Sequence, residues 1–264
     1  MKRALLLIRH TLRLIWQNIG VALRISIPWA VLTFAAVIVA AMLASMAQSG
    51  EAPGMALLSF AVFVGAFIVM LFGFGAAATA WHRYILLNEL PSGFLPRPPS
   101  GLVWPYVGRA FVISLILMAV AIPAMMIFFI LLGGITGEGA NPSATIILGA
   151  VLVLNVLIQF VFMRLAISLP AVALGNRGFS ISQAWKQSSS EKITIFWVVV
   201  IMTLVAGLVQ AITGYGETGG DPAAMEQPGI LIIVLQLALS WLYVMFGICI
   251  LTTLYGVIVE RREI

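Results

Sequence analysis

Apolar residues in this chain come in unbroken runs, not in alternation and not as the spaced stripe of a surface helix. Six segments contain no Asp, Glu, Lys or Arg: residues 25–47, 55–80, 110–132, 144–163, 193–214 and 230–259. A bilayer core about 30 Å thick is crossed by roughly 20 helical residues, so each segment is long enough to span it. In hydrocarbon the backbone must satisfy its own polar groups, which leaves helices or a closed barrel. A barrel strand alternates, whereas Val198-Val199-Val200-Ile201 and Ile230-Leu231-Ile232-Ile233-Val234-Leu235 are apolar on every side. The pattern therefore predicts an all-α integral membrane protein with six transmembrane helices. Residues 1–264 are expected to form one membrane domain; three two-helix hairpins describe the order of its spans, although interface placement of Trp and Arg gives the same picture without duplication.

The polar positions between the runs sort into two kinds. Residues 48–54, 133–143 and 215–229 are rich in Gly, Pro and acid. Residues 81–109 and 164–192, with both termini, are basic. All 14 Lys and Arg residues fall on the second set, while Glu51, Glu138, Glu217, Asp221 and Glu226 occupy the first. Cytoplasmic loops carry the Lys/Arg excess. The segregation predicts cytoplasmic N- and C-termini and an even number of spans. Ser45-Met46-Ala47 resembles a cleavage site. The apolar run before it is longer than a signal peptide's 7–15-residue core, so it reads as a retained first span.

Residues 1–24 read as an amphipathic basic helix in the interface. Lys2, Arg3, Arg9, His10, Arg13, Gln17 and Arg24 share one arc of the wheel, and Leu5, Ile8, Leu12, Ile15, Trp16 and Ile19 the facing one. Such a helix sinks its apolar face among acyl chains and lays its basic face on headgroups. Lys2, Arg3, Arg9, Arg13 and Arg24 are therefore the candidate contacts to anionic lipid. The helix can serve as an anchoring entry to the first span or as a sensor of lipid charge. A second interfacial helix is predicted before the fifth span, where Ser180-Ile181-Ser182-Gln183 has capping-box spacing. Ala184 and Trp185 would face the membrane, with Lys186, Ser188–Ser190 and a Glu191–Lys192 pair in water. Pro91, Pro96, Pro98, Pro99 and Pro105 make residues 91–105 a stiff extended connector, with Pro105 suited to a helix first turn.

Composition closes off other classes. The chain is 62% apolar and 9% charged, against about 45–50% and 25% for soluble domains. Its net charge of +5 is accounted for by topology, which removes the case for nucleic acid. One cysteine, Cys249, allows neither an internal disulfide nor a multi-thiolate metal site. His10 and His82 lie in basic segments with no neighbouring carboxylate to orient either ring. No metalloprotease, P-loop or nucleophile-elbow motif occurs. The expectation is a protein with no catalytic residue, no metal and no cofactor.

Charged side chains at membrane depth mark ion paths, and the six segments hold none. Their strongest polar groups are Asn155 and Gln159, four residues apart on one helix face, with Gln210 and Gln236 elsewhere. Hydrogen bonding between helices, at about 0.6–2 kcal/mol each, is the ordinary use of such amides. The Asn155/Gln159 face is also the candidate lining for a solute. Pro123 and Pro170 would kink their helices.

Arg164, then Leu169-Pro170-Ala171-Val172-Ala173-Leu174 and Ser182-Gln183-Ala184-Trp185-Lys186-Gln187-Ser188, resemble a stretch in bacterial six-span membrane families of uncharacterised role. These include the membrane domain fused to some glycerophosphodiester phosphodiesterases. The likeness covers 25–30 residues and implies a bacterial inner-membrane location, with no catalytic residue carried over. Two roles stay open. One is a non-catalytic scaffold, anchor or accessory factor with the lipid bilayer and a membrane-protein partner. The other is a transporter or channel for a neutral or lipidic solute.

Overall fold

The computed structural model describes residues 1–48, 54–90, 93, 101–136, 144–213 and 230–263. Most of the three acidic connections and of the proline-rich connector lies outside the described residues. The described chain is helical: α1 Lys2–Gln17, α2 Ile19–Gln48, α3 Met55–Leu87, α4 Val103–Thr136, α5 Ala144–Ala166, α6 Ser168–Ala173, α7 Ile181–Gln187, α8 Lys192–Thr213 and α9 Ile230–Ile258. A 3-10 turn, Ser188–Glu191, joins α7 to α8. Six helices are long and apolar enough to cross a membrane, and the protein is a multi-pass membrane protein.

The helices overrun the charge-free segments at their basic ends. α3 continues through His82 and Arg83 to Leu87, and α4 begins at Val103, before Arg109. The apolar run measures the hydrocarbon core alone, while a helix continues through the interface on side chains whose charged heads reach out of it. Pro105 sits in the first turn of α4, where its missing N–H costs nothing. Just before Pro170 the helix is interrupted at Ile167 alone. α5 stops at Ala166, and Pro170 falls in the first turn of the separate helix α6.

Contacts gather into two units: Met1–Arg13, Val112–Ile167 and Ser180–Ile264 in one, Leu14–Phe111 and Ser168–Phe179 in the other. In the second unit α2 and α3 pack along their lengths, and α6 lies against α3. Gly73 lets Trp29 approach, since a Cβ there would stand 3.0 Å from the Trp29 Cβ. A Cβ on Gly75 would stand 2.6 Å from Val107 Cγ2, so glycine is what admits the first turns of α4. Trp29, Phe72 and Trp104 continue this contact as tilted and edge-on rings at centroid distances of 5.3 and 5.6 Å. In the first unit α5 packs on α8 and α7, and α8 touches α9 at fewer points.

Burial is concentrated at the basic end of the helices. In α9 nearly every residue from Met245 to Ile258 is buried, whereas Ile230–Leu235 are exposed. In α3 the buried run is residues 75–82, and in α5 it begins at Met163.

Candidate functional site

α1 has three faces where its sequence pattern implies two. Ala4, Leu7, Thr11 and Ile15 are buried. Leu5, Leu12 and Trp16 are exposed, Trp16 at 77%. Lys2, Arg3, Arg9 and Arg13 are exposed on the remaining arc, as is Arg24 in α2. Ile15, expected on the lipid side, belongs to the packed face instead. Ala4 and Thr11 are small, so α1 can lie close on α9: the Thr11 and Thr253 hydroxyls are 3.5 Å apart and Cys249 Sγ is 3.7 Å from the Thr11 carbonyl. Each hydroxyl is satisfied within its own helix, Thr11 donating to the Leu7 carbonyl at 2.8 Å and Thr253 to that of Cys249 at 3.0 Å. His10 is half-buried, and burial with the neighbouring Arg13 charge holds its imidazole below the usual histidine range. Glu191 pairs with Arg3 of α1 at 2.8 Å, not with Lys192. The carboxylate is nearly enclosed, so it fastens the start of α1 to the turn before α8.

The basic residues at the span ends hold the chain between α5 and α8. In the second unit Arg83 donates to the Ala173 carbonyl at 2.9 Å and forms a bidentate pair with Glu89 at 2.7 and 2.6 Å. Arg109 donates to the Phe179 carbonyl. Between these two anchors α6 ends in a Schellman closure. Gly175 takes φ 82°, its N–H reaches the Val172 carbonyl at 2.9 Å, and Asn176 N–H reaches Ala171 at 2.9 Å. In the first unit the predicted capping box opens α7: Gln183 N–H donates to Ser180 Oγ at 3.1 Å, and Ser180 N–H to Gln183 Oε1 at 2.8 Å.

Arg164 then anchors α7. Its guanidinium donates to the Trp185 carbonyl at 2.7 Å, Ser189 Oγ at 2.8 Å and Ser188 Oγ at 3.0 Å. It also stacks 3.6 Å above the Trp185 ring. Trp185 is thus the cation's platform while staying partly exposed, and Ser188 is buried, not solvated. A planar five-donor fork suits this mixed set of carbonyl, hydroxyls and ring.

His82 is fully buried in the second unit, with Nε2 3.3 Å from the equally buried Tyr106 hydroxyl. Nearby on α3, the Thr79 hydroxyl and Trp81 indole N–H are buried and lack a partner among the described residues. Tyr84 donates to Asn18 Oδ1 at 2.6 Å, pinning the junction of α1 and α2. Sequence reasoning places His82 in a basic segment with no carboxylate to orient its ring, which does not reveal that the ring is enclosed. The signal for burial was the run of small residues just before it, Gly75–Ala80.

Asn155 is exposed near the middle of α5, and Gln159 is half-buried one turn on. Neither makes a hydrogen bond among the described residues. Neither lines a cleft of about 490 Å³ between α8 and α9. Ile8 and Leu12 of α1 also line that cleft. Its α8 wall is apolar, and its α9 wall carries Gln236, Ser240 and Tyr243. Compared with protein-family models, curated proteins and solved structures, the chain matches none of them.

Proposed function

We propose that the protein is a non-catalytic accessory or scaffold component of a complex in a bacterial inner membrane, with its basic helix ends cytoplasmic. The observation that carries this reading is Asn155. An amide exposed in mid-span faces acyl chains, which offer no hydrogen bond, and a helix from a partner protein would supply one. The arginines at the basic ends support the same reading, because Arg83, Arg109 and Arg164 hold the protein's own backbone and not a substrate. In this role the exposed basic residues Lys2, Arg9 and Arg13 of α1, and Arg24 of α2, rest on anionic headgroups. Affinity purification of the full chain from native membranes in mild detergent tests the proposal. A co-purifying membrane protein should be retained by the wild type and reduced about threefold to tenfold by Asn155→Leu. Undiminished recovery with Asn155→Leu, or no specific partner at all, would reject it.

A second reading, movement of a neutral or lipidic solute, is supported by the α8–α9 cleft and not by the Asn155/Gln159 face.

A further inference from the structure

Hydroxyls on a membrane helix ordinarily donate to the carbonyl one turn back. On α9 itself Thr252 donates to Ile248 at 2.9 Å and Thr253 to Cys249 at 3.0 Å. Ser240, on the same helix, makes no such bond among the described residues, and neither the Gln236 amide nor the Tyr243 hydroxyl has a partner there. These three groups are spaced by four and three residues, which puts them on one stripe, and all three line the 490 Å³ cleft. Opposite them stand Met202, Val205 and Val209, and no charged residue lines the space. The cleft therefore offers a long apolar wall facing a row of neutral hydrogen-bonding groups, inside the span region of α8 and α9.

Its size decides the kind of occupant. Ligand sites enclose about 300–1,000 Å³, and this cleft falls within that range. The cleft is a half-open groove, so it has room for one extended acyl chain with its ester region, and a two-chain lipid would lay only one of its chains there. An anionic headgroup would find no cation among the lining residues. We infer that the cleft between α8 and α9 binds one neutral glycerolipid, its acyl chain along Met202–Val209 and its ester or hydroxyl oxygens on Gln236, Ser240 and Tyr243. The inference is independent of the accessory role, which concerns α5.

The test uses the full chain in nanodiscs with a diacylglycerol carrying a photoactivatable diazirine on one acyl chain. Parallel arms carry the same chain on phosphatidylcholine and on phosphatidylglycerol. The diacylglycerol probe should label peptides of α8 and α9 saturably, and unlabelled diacylglycerol should compete. The variant Gln236→Leu/Ser240→Ala/Tyr243→Phe should weaken its half-saturation about thirtyfold, as expected for three hydrogen bonds of interhelical strength. A second variant, Val205→Trp, fills the cleft without touching the stripe and should abolish labelling. Thermal melting of both variants in detergent reports whether they fold. If one does not, the competition and the comparison of probes in the wild-type protein still decide. Equal labelling by all three probes would mean bulk lipid only and would overturn the proposal. Labelling that does not saturate, or that survives the triple substitution in a folded protein, would do the same.

Discussion

Leu254 and Leu235 are the same residue in the same helix, yet Leu254 is fully buried and Leu235 is 49% exposed. The contrast holds along the whole of α9, packed from Met245 onward and open before it, and it recurs in α3. At the basic ends, protein surrounds the helix and polar groups find polar partners, as Arg164 finds Ser188, Ser189 and Trp185. At the opposite ends most side chains face outward, where acyl chains take the place of neighbours. In a bilayer no hydrophobic force distinguishes the two halves, since lipid is as apolar as leucine. What distinguishes them is shape and hydrogen bonding: small residues that admit a neighbour, and charged forks that hold one in place.

The strongest way to break this contrast is at Arg164. Arg164→Leu removes three charge-assisted hydrogen bonds and the stack on Trp185, and should cost about 3 kcal/mol or more. Thermal unfolding in detergent micelles should show it as a large drop in Tm, with Arg164→Lys recovering only part, because an ammonium cannot reproduce the fork. An unchanged Tm would mean that the basic end is not held this way. Next comes the leucine pair itself. Leu254→Ala should cost about 2–3 kcal/mol, near the low end for a core leucine because only packing is lost. Leu235→Ala should fall within about 0.5 kcal/mol of the wild type. Equal effects would erase the difference between the halves. The finest test compares two glycines of α3. Gly75→Ala forces Val107 to move and should cost about 1–2 kcal/mol. Gly65→Ala, with open space around it, should be neutral or stabilising by up to about 1 kcal/mol.

The sequence made some of this legible and not the rest. Six spans, their helical form and the capping box at Ser180 could be read from hydropathy and spacing. Those features are local, and each is complete within about 25 residues. The buried half of each span could not be read, because hydropathy measures transfer into an apolar phase and does not say whether that phase is lipid or protein. The packed face of α1 escaped for a related reason. Ala4 and Thr11 register as nearly neutral on a hydrophobic wheel, and their value to the contact is their small size. The destinations of Arg83, Arg109 and Arg164 were hidden by their excellence as topology signals, which accounted for their charge before their hydrogen bonds were considered. Asn155 and Gln159 were legible as unusual residues, but their spacing alone could not say that Asn155 faces outward.

The long reach of the arginine anchors sets an order of assembly. Arg83 and the Ala173 carbonyl are 90 residues apart, and Arg109 and the Phe179 carbonyl 70. At about 5–20 residues per second of synthesis, the guanidinium of Arg83 emerges roughly 5–20 s before its partner exists. That interval opens with two spans made and closes with four, and through it Arg83 has Glu89 but not yet its backbone acceptor. Completion of the second unit therefore belongs to the moment when α6 leaves the ribosome. A chain truncated before residue 173 would leave Arg83 with Glu89 as its partner and Arg109 without the Phe179 carbonyl.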